Sequence, residues 1–254
     1  MRKVFLFTVL VFVVFNSIAQ IKKTTKGHFV IRYEKDVETY AMAGANILNF
    51  VWDRLDELGF KPPKKIGFNL IKSTNNQLGI NTATQIIYLH YTSLDPSKIS
   101  ANFVYGLCHE IGHLCMSNIT PNSDWMTKDY REGWADFFGD NMVALVYEKF
   151  GADAWPNPYN YMVQMVNKST VKEQTIKNGE GALYGFYISV IFWEKLVYEK
   201  GMDKIPFFFN QIKSNGVSNP NADKKFRTEL VKFEVTNELL DYFEQNREYL
   251  IESE

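Results

Sequence analysis

The residue types that most clearly indicate chemistry lie near the middle of the chain, where His109 and Glu110 are followed by Ile111, Gly112 and His113. Residues four apart lie on one face of an α-helix, so the imidazoles of His109 and His113 are able to bind a single cation. Glu110 is turned by about 100° from His109 around the helix, which directs its carboxylate toward a water molecule on the cation. This spacing predicts a metal-dependent hydrolytic site in which Glu110 is the general base.

A catalytic zinc site takes three protein ligands and leaves a fourth position to water, so the two histidines require a further ligand. Eighteen residues separate His113 from Glu132, which is the predicted third ligand if a loop and the first turn of the next helix bring it back over the histidines. Asp136 follows one helical turn later and is placed to accept the remaining N–H of a metal-bound imidazole. The cation that this set indicates is Zn²⁺. Alternatively, Glu132 and Asp136 form a solvated acidic helix face.

The helix that carries the histidines must also pack against the hydrophobic core. Its apolar face is expected to pack inward and comprises Val104, Cys108, Ile111 and Cys115. The two cysteines are seven residues apart, which is about 10.5 Å along a helix axis and beyond the reach of a disulfide. We therefore expect two buried free thiols beside a histidine face that also carries Tyr105.

The elements around this helix are predicted from hydrophobic periodicity. Strands are expected at 28–33, 66–71 and 85–91. Helices are expected at 36–59, 95–116, 128–150, 181–200, 204–214 and 221–250. Strands thus precede helices, which predicts an α+β fold with a small N-terminal mixed sheet lobe at about 20–118 and a mainly helical lobe at about 119–254.

The N-terminus has the pattern of a signal peptide. Arg2 and Lys3 precede an apolar run at 4–15, and the small residues Ser17 and Ala19 precede a predicted cleavage before Gln20. The run is shorter than the roughly 20 residues of a spanning helix, although an uncleaved anchor is the alternative. We therefore expect residues 1–19 to be removed and 20–254 to be secreted or periplasmic, without stable membrane insertion. The net charge of −1 gives no support for nucleic-acid binding.

Taken together, these motifs resemble the gluzincin metallopeptidases, the superfamily of thermolysin and aminopeptidase N. The spacing from His113 to Glu132 is that of the aminopeptidase N branch, and Glu132-Gly-Trp-Ala-Asp136 is similar to the Glu-x-x-x-Asp segment of thermolysin-like enzymes. The resemblance implies a zincin-like fold, zinc bound by His109, His113 and Glu132, and the roles given above for Glu110 and Asp136.

The same resemblance extends in weaker form to residues 184–196, which are similar to the helix that supplies an oxyanion-stabilising tyrosine in aminopeptidase N-like enzymes. It implies this role for Tyr184, and Tyr187, one turn later, is the alternative. In the implied mechanism, Glu110 removes a proton from a water whose pKa zinc lowers to about 7, and then returns it to the leaving amine.

The expected function is that of an exported zinc metallopeptidase acting on a peptide or protein. The resemblance also implies that the strand at 85–91 offers an open edge to an extended peptide. Two alternatives are a non-catalytic zincin-fold module that binds a partner and a zinc hydrolase acting on a non-peptide substrate. Zinc content, measured together with cleavage of a generic protein substrate, separates the module from the peptidase.

Overall fold

The described strands all lie before residue 92, with one long helix among them, and the rest of the described chain is mainly helical, as predicted. The computed structural model describes residues 21–94, 99–119, 124–151, 158–217 and 221–252, so the predicted signal peptide lies outside the described residues. The strands are Ile21–Lys26 (β1), Phe29–Glu34 (β2), Ile66–Lys72 (β3), Gln77–Asn81 (β4) and Ile86–Tyr91 (β5). The helices are Glu38–Glu57 (α1), Ala101–Ile119 (α2), Lys128–Phe150 (α3), Pro158–Asn178 (α4), Tyr184–Lys200 (α5), Ile205–Ser214 (α6), Ala222–Lys232 (α7) and Asn237–Asn246 (α8). None of these helices is long and apolar enough to cross a membrane.

The strands form a five-stranded mixed sheet in the order β1-β2-β3-β5-β4. β2, β3 and β5 are parallel, whereas β1 and β4 are antiparallel to their neighbours and lie at the two edges. The expectation that the strand at 85–91 has an open edge is therefore wrong, because β4 pairs with β5 and places Gly79 opposite Tyr88. The edge that remains open among these strands, on the side of α2, is that of β4.

Helix α1 covers the sheet and closes the N-terminal core. Phe29, Ile31, Phe68 and Ile87 are fully buried on the strands. Gly44 allows α1 to lie against Phe68, because a methyl group at this position would come within 2.7 Å of the aromatic ring. This packing fixes the sheet on which the next helix, α2, is placed.

Helix α2 packs as predicted from its apolar face. Val104, Cys108, Ile111 and Cys115 are all fully buried, and both cysteines are free thiols. Burial raises the pKa of both thiols far above the ordinary value, so they act as small apolar groups in the core. The histidine face of the same helix is turned toward β4 and α3.

The helical part of the chain is built around α3, which lies between α2 and α5. Trp134 of α3 and Trp193 of α5 are both buried, and their ring centroids are 4.8 Å apart. The expectation of one helix at 221–250 is wrong, because α7 ends at Lys232 and α8 begins at Asn237. Between them Glu234 adopts a left-handed backbone with φ of 58°, and the Thr236 hydroxyl caps α8 by accepting the Leu239 N–H.

Candidate metal centre

The three predicted metal ligands converge, although they come from two helices. The Nε2 atoms of His109 and His113 are 3.2 Å apart. The Oε2 atom of Glu132 lies 3.4 Å from the first and 3.5 Å from the second. Among the described residues, these form one group of His, Cys, Asp and Glu side chains that are close enough to share an ion. The structure therefore brings together the residues that the sequence selected.

The dimensions of this triangle fit a zinc ion. Three ligands of a tetrahedral ion with bonds of about 2.0–2.1 Å lie about 3.3–3.4 Å from one another, and the observed separations are 3.2, 3.4 and 3.5 Å. The His109 and His113 rings are nearly perpendicular, at 83°. They therefore approach each other through their Nε2 atoms and do not stack face to face. The donor set of two imidazoles and one carboxylate is also one that catalytic zinc sites use.

The crossing of α2 and α3 over two glycines places Glu132 against the histidines. At Gly112 of α2, an added methyl group would lie 3.2 Å from the Cα atom of Ala135. At Gly139 of α3, it would lie 3.2 Å from the backbone of His109. The indole N–H of Trp134 donates to the Gly112 carbonyl at 3.0 Å and holds the two helices at this distance. The ligand geometry thus depends on backbone contact between α2 and α3.

Replacing Gly139 by alanine is expected to lower both the melting temperature and the affinity for zinc. The new methyl group is too close to His109, so α2 must move away from the helix that carries Glu132. Overpacking of this kind costs about 1–3 kcal/mol of unfolding free energy. Thermal unfolding and a zinc titration against a competing chelator measure the two effects.

Gly44→Ala is the control, because its methyl group is even more crowded, 2.7 Å from Phe68, but lies in the N-terminal core. It is expected to lower the melting temperature while leaving zinc affinity unchanged. Equal zinc affinities for Gly139→Ala and Gly44→Ala would contradict the dependence of the ligand triangle on the helix crossing.

Glu110 lies beside the ligands on α2, where its carboxylate accepts the backbone N–H of Ile80 in β4. Burial raises the pKa of Glu110, while the nearby imidazoles and the Ile80 N–H oppose this rise. Glu132 differs, because hydrogen bonds from His109 and His113 hold its pKa well below the usual range. Of the two carboxylates, Glu132 contacts both imidazoles, whereas Glu110 lies beside them and is hydrogen-bonded to the edge strand.

Asp136 is close to His109, but it does not form the hydrogen bond that its spacing predicts. Its Oδ1 atom is 3.9 Å from Nδ1 of His109, too far for a hydrogen bond. Its Oδ2 atom instead lies 2.5 Å from Nζ of Lys168, which comes from α4. The group within reach of His109 Nδ1 is the Tyr105 hydroxyl, at 3.3 Å. Burial raises the pKa of Asp136 to about 6, and the Lys168 ammonium limits that rise.

A cavity of about 470 Å³ opens onto the histidines. Edge strand β4 forms one wall, and the N-terminal end of α3 forms another. Besides the ligands and Glu110, the polar and charged lining residues are Gln77, Thr82, Tyr88, Ser117, Lys128 and Arg131. Lys128 and Arg131 are exposed and add positive charge to a cavity whose carboxylates are those of Glu110 and Glu132. The space above the ligands is thus bounded by edge strand β4 and by side chains of both signs.

Neither of the two tyrosines proposed for the oxyanion lines this cavity. The Tyr184 ring packs edge-on against Tyr249, with ring centroids 5.3 Å apart. Tyr187 is buried and lines a smaller cavity of about 140 Å³ together with Asp136 and Lys168. The tyrosine that lines the larger cavity is Tyr88 of β5. The role of Tyr184 stays a prediction from the resemblance.

Sequence reasoning missed several residues that border the site. Tyr105 is not among them, because it precedes His109 by four residues and its place on the histidine face is predicted from that spacing. Arg131 is among them although it carried a usable signal, since it immediately precedes a predicted ligand in the first turn of α3. No local pattern marks Tyr88 or Lys168, because each reaches the site through strand pairing or helix packing with distant segments.

The centre of this site consists of two imidazoles, one carboxylate that faces both of them and a second carboxylate alongside. Buried helices support it from behind, and the cavity leaves its front accessible. A scan of the chain against protein-family models finds no match, and a search of the curated proteins also finds none.

Proposed function

We propose that this protein is an exported zinc metallopeptidase of gluzincin type. The observation that carries the proposal is the triangle formed by Nε2 of His109, Nε2 of His113 and Oε2 of Glu132, whose sides of 3.2–3.5 Å match those of a tetrahedral zinc site. The presence of Glu110 in the same cavity adds a base beside the ligands. The signal-peptide pattern at 1–19 supports action in the secreted or periplasmic space.

In this proposal, His109, His113 and Glu132 hold the metal, and Glu110 handles the proton. Bound zinc supplies a Lewis acid that polarises a carbonyl and lowers the pKa of water. The Glu110 carboxylate accepts the proton of the attacking water and passes it to the leaving amine. Its partly buried position and the Ile80 N–H keep the carboxylate directed along the cavity wall formed by β4.

The free edge of β4 is the part of the cavity that suits an extended peptide. Gln77, Leu78, Gly79 and Ile80 all line the cavity, and within the described part of the chain β4 pairs with another strand on one side only, while its Ile80 N–H is bonded to Glu110. An added strand gains backbone hydrogen bonds from such an edge, which gives affinity without demanding a particular side chain. The peptide-binding role expected for 85–91 is therefore proposed for β4, and the proposed substrate class is a peptide or an unfolded protein segment.

The test of the proposal is the zinc content of the purified chain together with its cleavage of casein. The wild-type protein is expected to hold one zinc ion per chain and to cleave casein in a chelator-sensitive manner. His109→Ala is expected to lose both properties, because Nε2 of His109 is one of the three corners of the ligand triangle.

His28→Ala is the matched control, since the His28 ring stacks on Trp52 and takes no part in the ligand triangle. It is expected to retain full zinc content and full cleavage. A wild-type protein without zinc would overturn the metal site. A zinc-loaded protein that cleaves neither casein nor short peptides would overturn the peptidase and favour a binding module.

A further inference from the structure

Lys168 is a charged residue of α4 that lies behind the metal centre. Its ammonium group is 2.5 Å from Oδ2 of Asp136 and 3.2 Å from Oδ2 of Asp140, two carboxylates one turn apart on α3. It also donates to the Tyr105 hydroxyl at 3.3 Å and lies 4.6 Å from the centroid of the Tyr105 ring. One side chain of α4 therefore contacts groups on both helices of the metal site.

The partners of Lys168 are the same groups that face Nδ1 of His109. The Tyr105 hydroxyl is 3.3 Å from this nitrogen, and Oδ1 of Asp136 is 3.9 Å from it. Groups that contact the distal nitrogen of a ligating imidazole fix its orientation and its tautomer. Because the Lys168 ammonium contacts both groups, its position determines theirs.

Burial makes this contact important for the two carboxylates. The side chain of Asp136 is only 5% exposed and that of Asp140 is 21% exposed. Two carboxylates so close together in a protein interior are stable as anions only when a cation compensates them. Among the described residues, Lys168 is the cation in contact with both.

We propose that Lys168 is a positioning residue of the metal centre, which holds the Tyr105 hydroxyl against the distal nitrogen of His109 and fixes the Asp136 carboxylate beside it. The inference rests on the proposed metal site but does not depend on the substrate or on turnover. Lys168 touches none of the three ligands and acts only through the two groups behind His109.

Lys168→Met tests the inference by zinc affinity, measured by titration against a chromophoric chelator. Loss of an outer partner of a ligating histidine typically costs about 10–100-fold in metal affinity, and a loss in this range is expected here. A change in the visible spectrum of the Co²⁺-substituted protein should accompany it, because the orientation of His109 changes. Lys168→Arg, which keeps the charge and the donors, is expected to restore most of the affinity.

Lys172→Met is the matched control. Lys172 lies one turn further along α4 and forms an ion pair of the same length, 2.5 Å, with Glu194. The charge of Lys172 also acts on Asp136, but without the close ion pair that Lys168 forms, so zinc affinity and the Co²⁺ spectrum are expected to change far less, while any loss of stability from breaking an α4 ion pair should be similar. Equal zinc affinity in Lys168→Met and Lys172→Met would overturn the positioning role.

A combined variant shows whether Lys168 acts through Tyr105 and Asp136. In a protein that already carries Tyr105→Phe and Asp136→Asn, Lys168→Met is expected to cause little further loss of zinc affinity. A full additional loss in this background would contradict the inference. If the wild-type protein bound no zinc, the metal site itself would fail, whereas an insensitive Lys168→Met in a zinc-binding wild type rejects only the role of Lys168.

Discussion

Glu110→Gln is expected to leave zinc bound at the wild-type level and to lower the rate of peptide hydrolysis by about 10²–10⁴, the usual contribution of a general base. Glutamine keeps the size of the side chain and its acceptor for the Ile80 N–H, but it cannot take a proton from water. The ligand triangle does not include Glu110, so metal content should not change. Zinc stoichiometry and the turnover of a fluorogenic peptide, measured on the same preparation, separate the two properties.

Glu180→Gln serves as the control for this substitution, because Glu180 is exposed and does not line the cavity. It is expected to match the wild type in both measurements. If Glu110→Gln lost zinc in proportion to activity, Glu110 would be a ligand and its role as base would be rejected. If the variant kept both zinc and full turnover, another group would have to supply the base.

The convergence of the three candidate metal ligands was predictable because their placement depends mostly on local geometry. A helix of 3.6 residues per turn puts His109 and His113 on one face, whatever surrounds it. Glu132 required one more condition, a second helix that begins just before it, and the Thr127 cap supplies this start by accepting the Tyr130 N–H. The predicted bounds of α3 at 128–150 are confirmed for the same reason.

The surroundings of the ligands were not predictable in this way. β4 is short, contains Gly79 and has little apolar alternation, so its strand character comes from pairing with β5. The break between α7 and α8 was not predictable either, because hydrophobic periodicity continues across it. There Glu234 takes a backbone conformation that few non-glycine residues adopt, and the Glu199 carboxylate binds the N–H of Thr236 at 2.8 Å.

The position of Asp136 illustrates how tertiary packing changes a role predicted from spacing. Its place one turn after Glu132 directs it toward His109, as expected. The ammonium of Lys168, which arrives from α4, is a stronger partner for a buried carboxylate than a neutral imidazole, so Asp136 pairs with it at 2.5 Å. The Tyr105 hydroxyl then takes the position nearest to His109 Nδ1. Spacing within one helix identified the residue but not its closest contact.

Glu132→Ala is expected to abolish zinc binding at micromolar metal and, with it, peptide hydrolysis. The substitution removes one corner of the triangle and leaves two imidazoles, which are too few for a tight catalytic site. The affinity loss should exceed the roughly 10–100-fold that an outer partner contributes. Because Glu132 also accepts hydrogen bonds from both histidines, the metal-free variant should be somewhat less stable as well.

Thermal unfolding with and without zinc provides the decisive measurement for Glu132→Ala. A ligand at 100 times its dissociation constant stabilises the folded state by about 2.7 kcal/mol, so zinc should raise the melting temperature of the wild type by several degrees. It should not raise that of Glu132→Ala. Glu148→Ala is the control, because Glu148 is an exposed residue on the same helix, and it should respond to zinc as the wild type does. An equal zinc response in Glu132→Ala would mean that this carboxylate is not a ligand, and the 3.4 and 3.5 Å contacts with the histidines would then be hydrogen bonds alone.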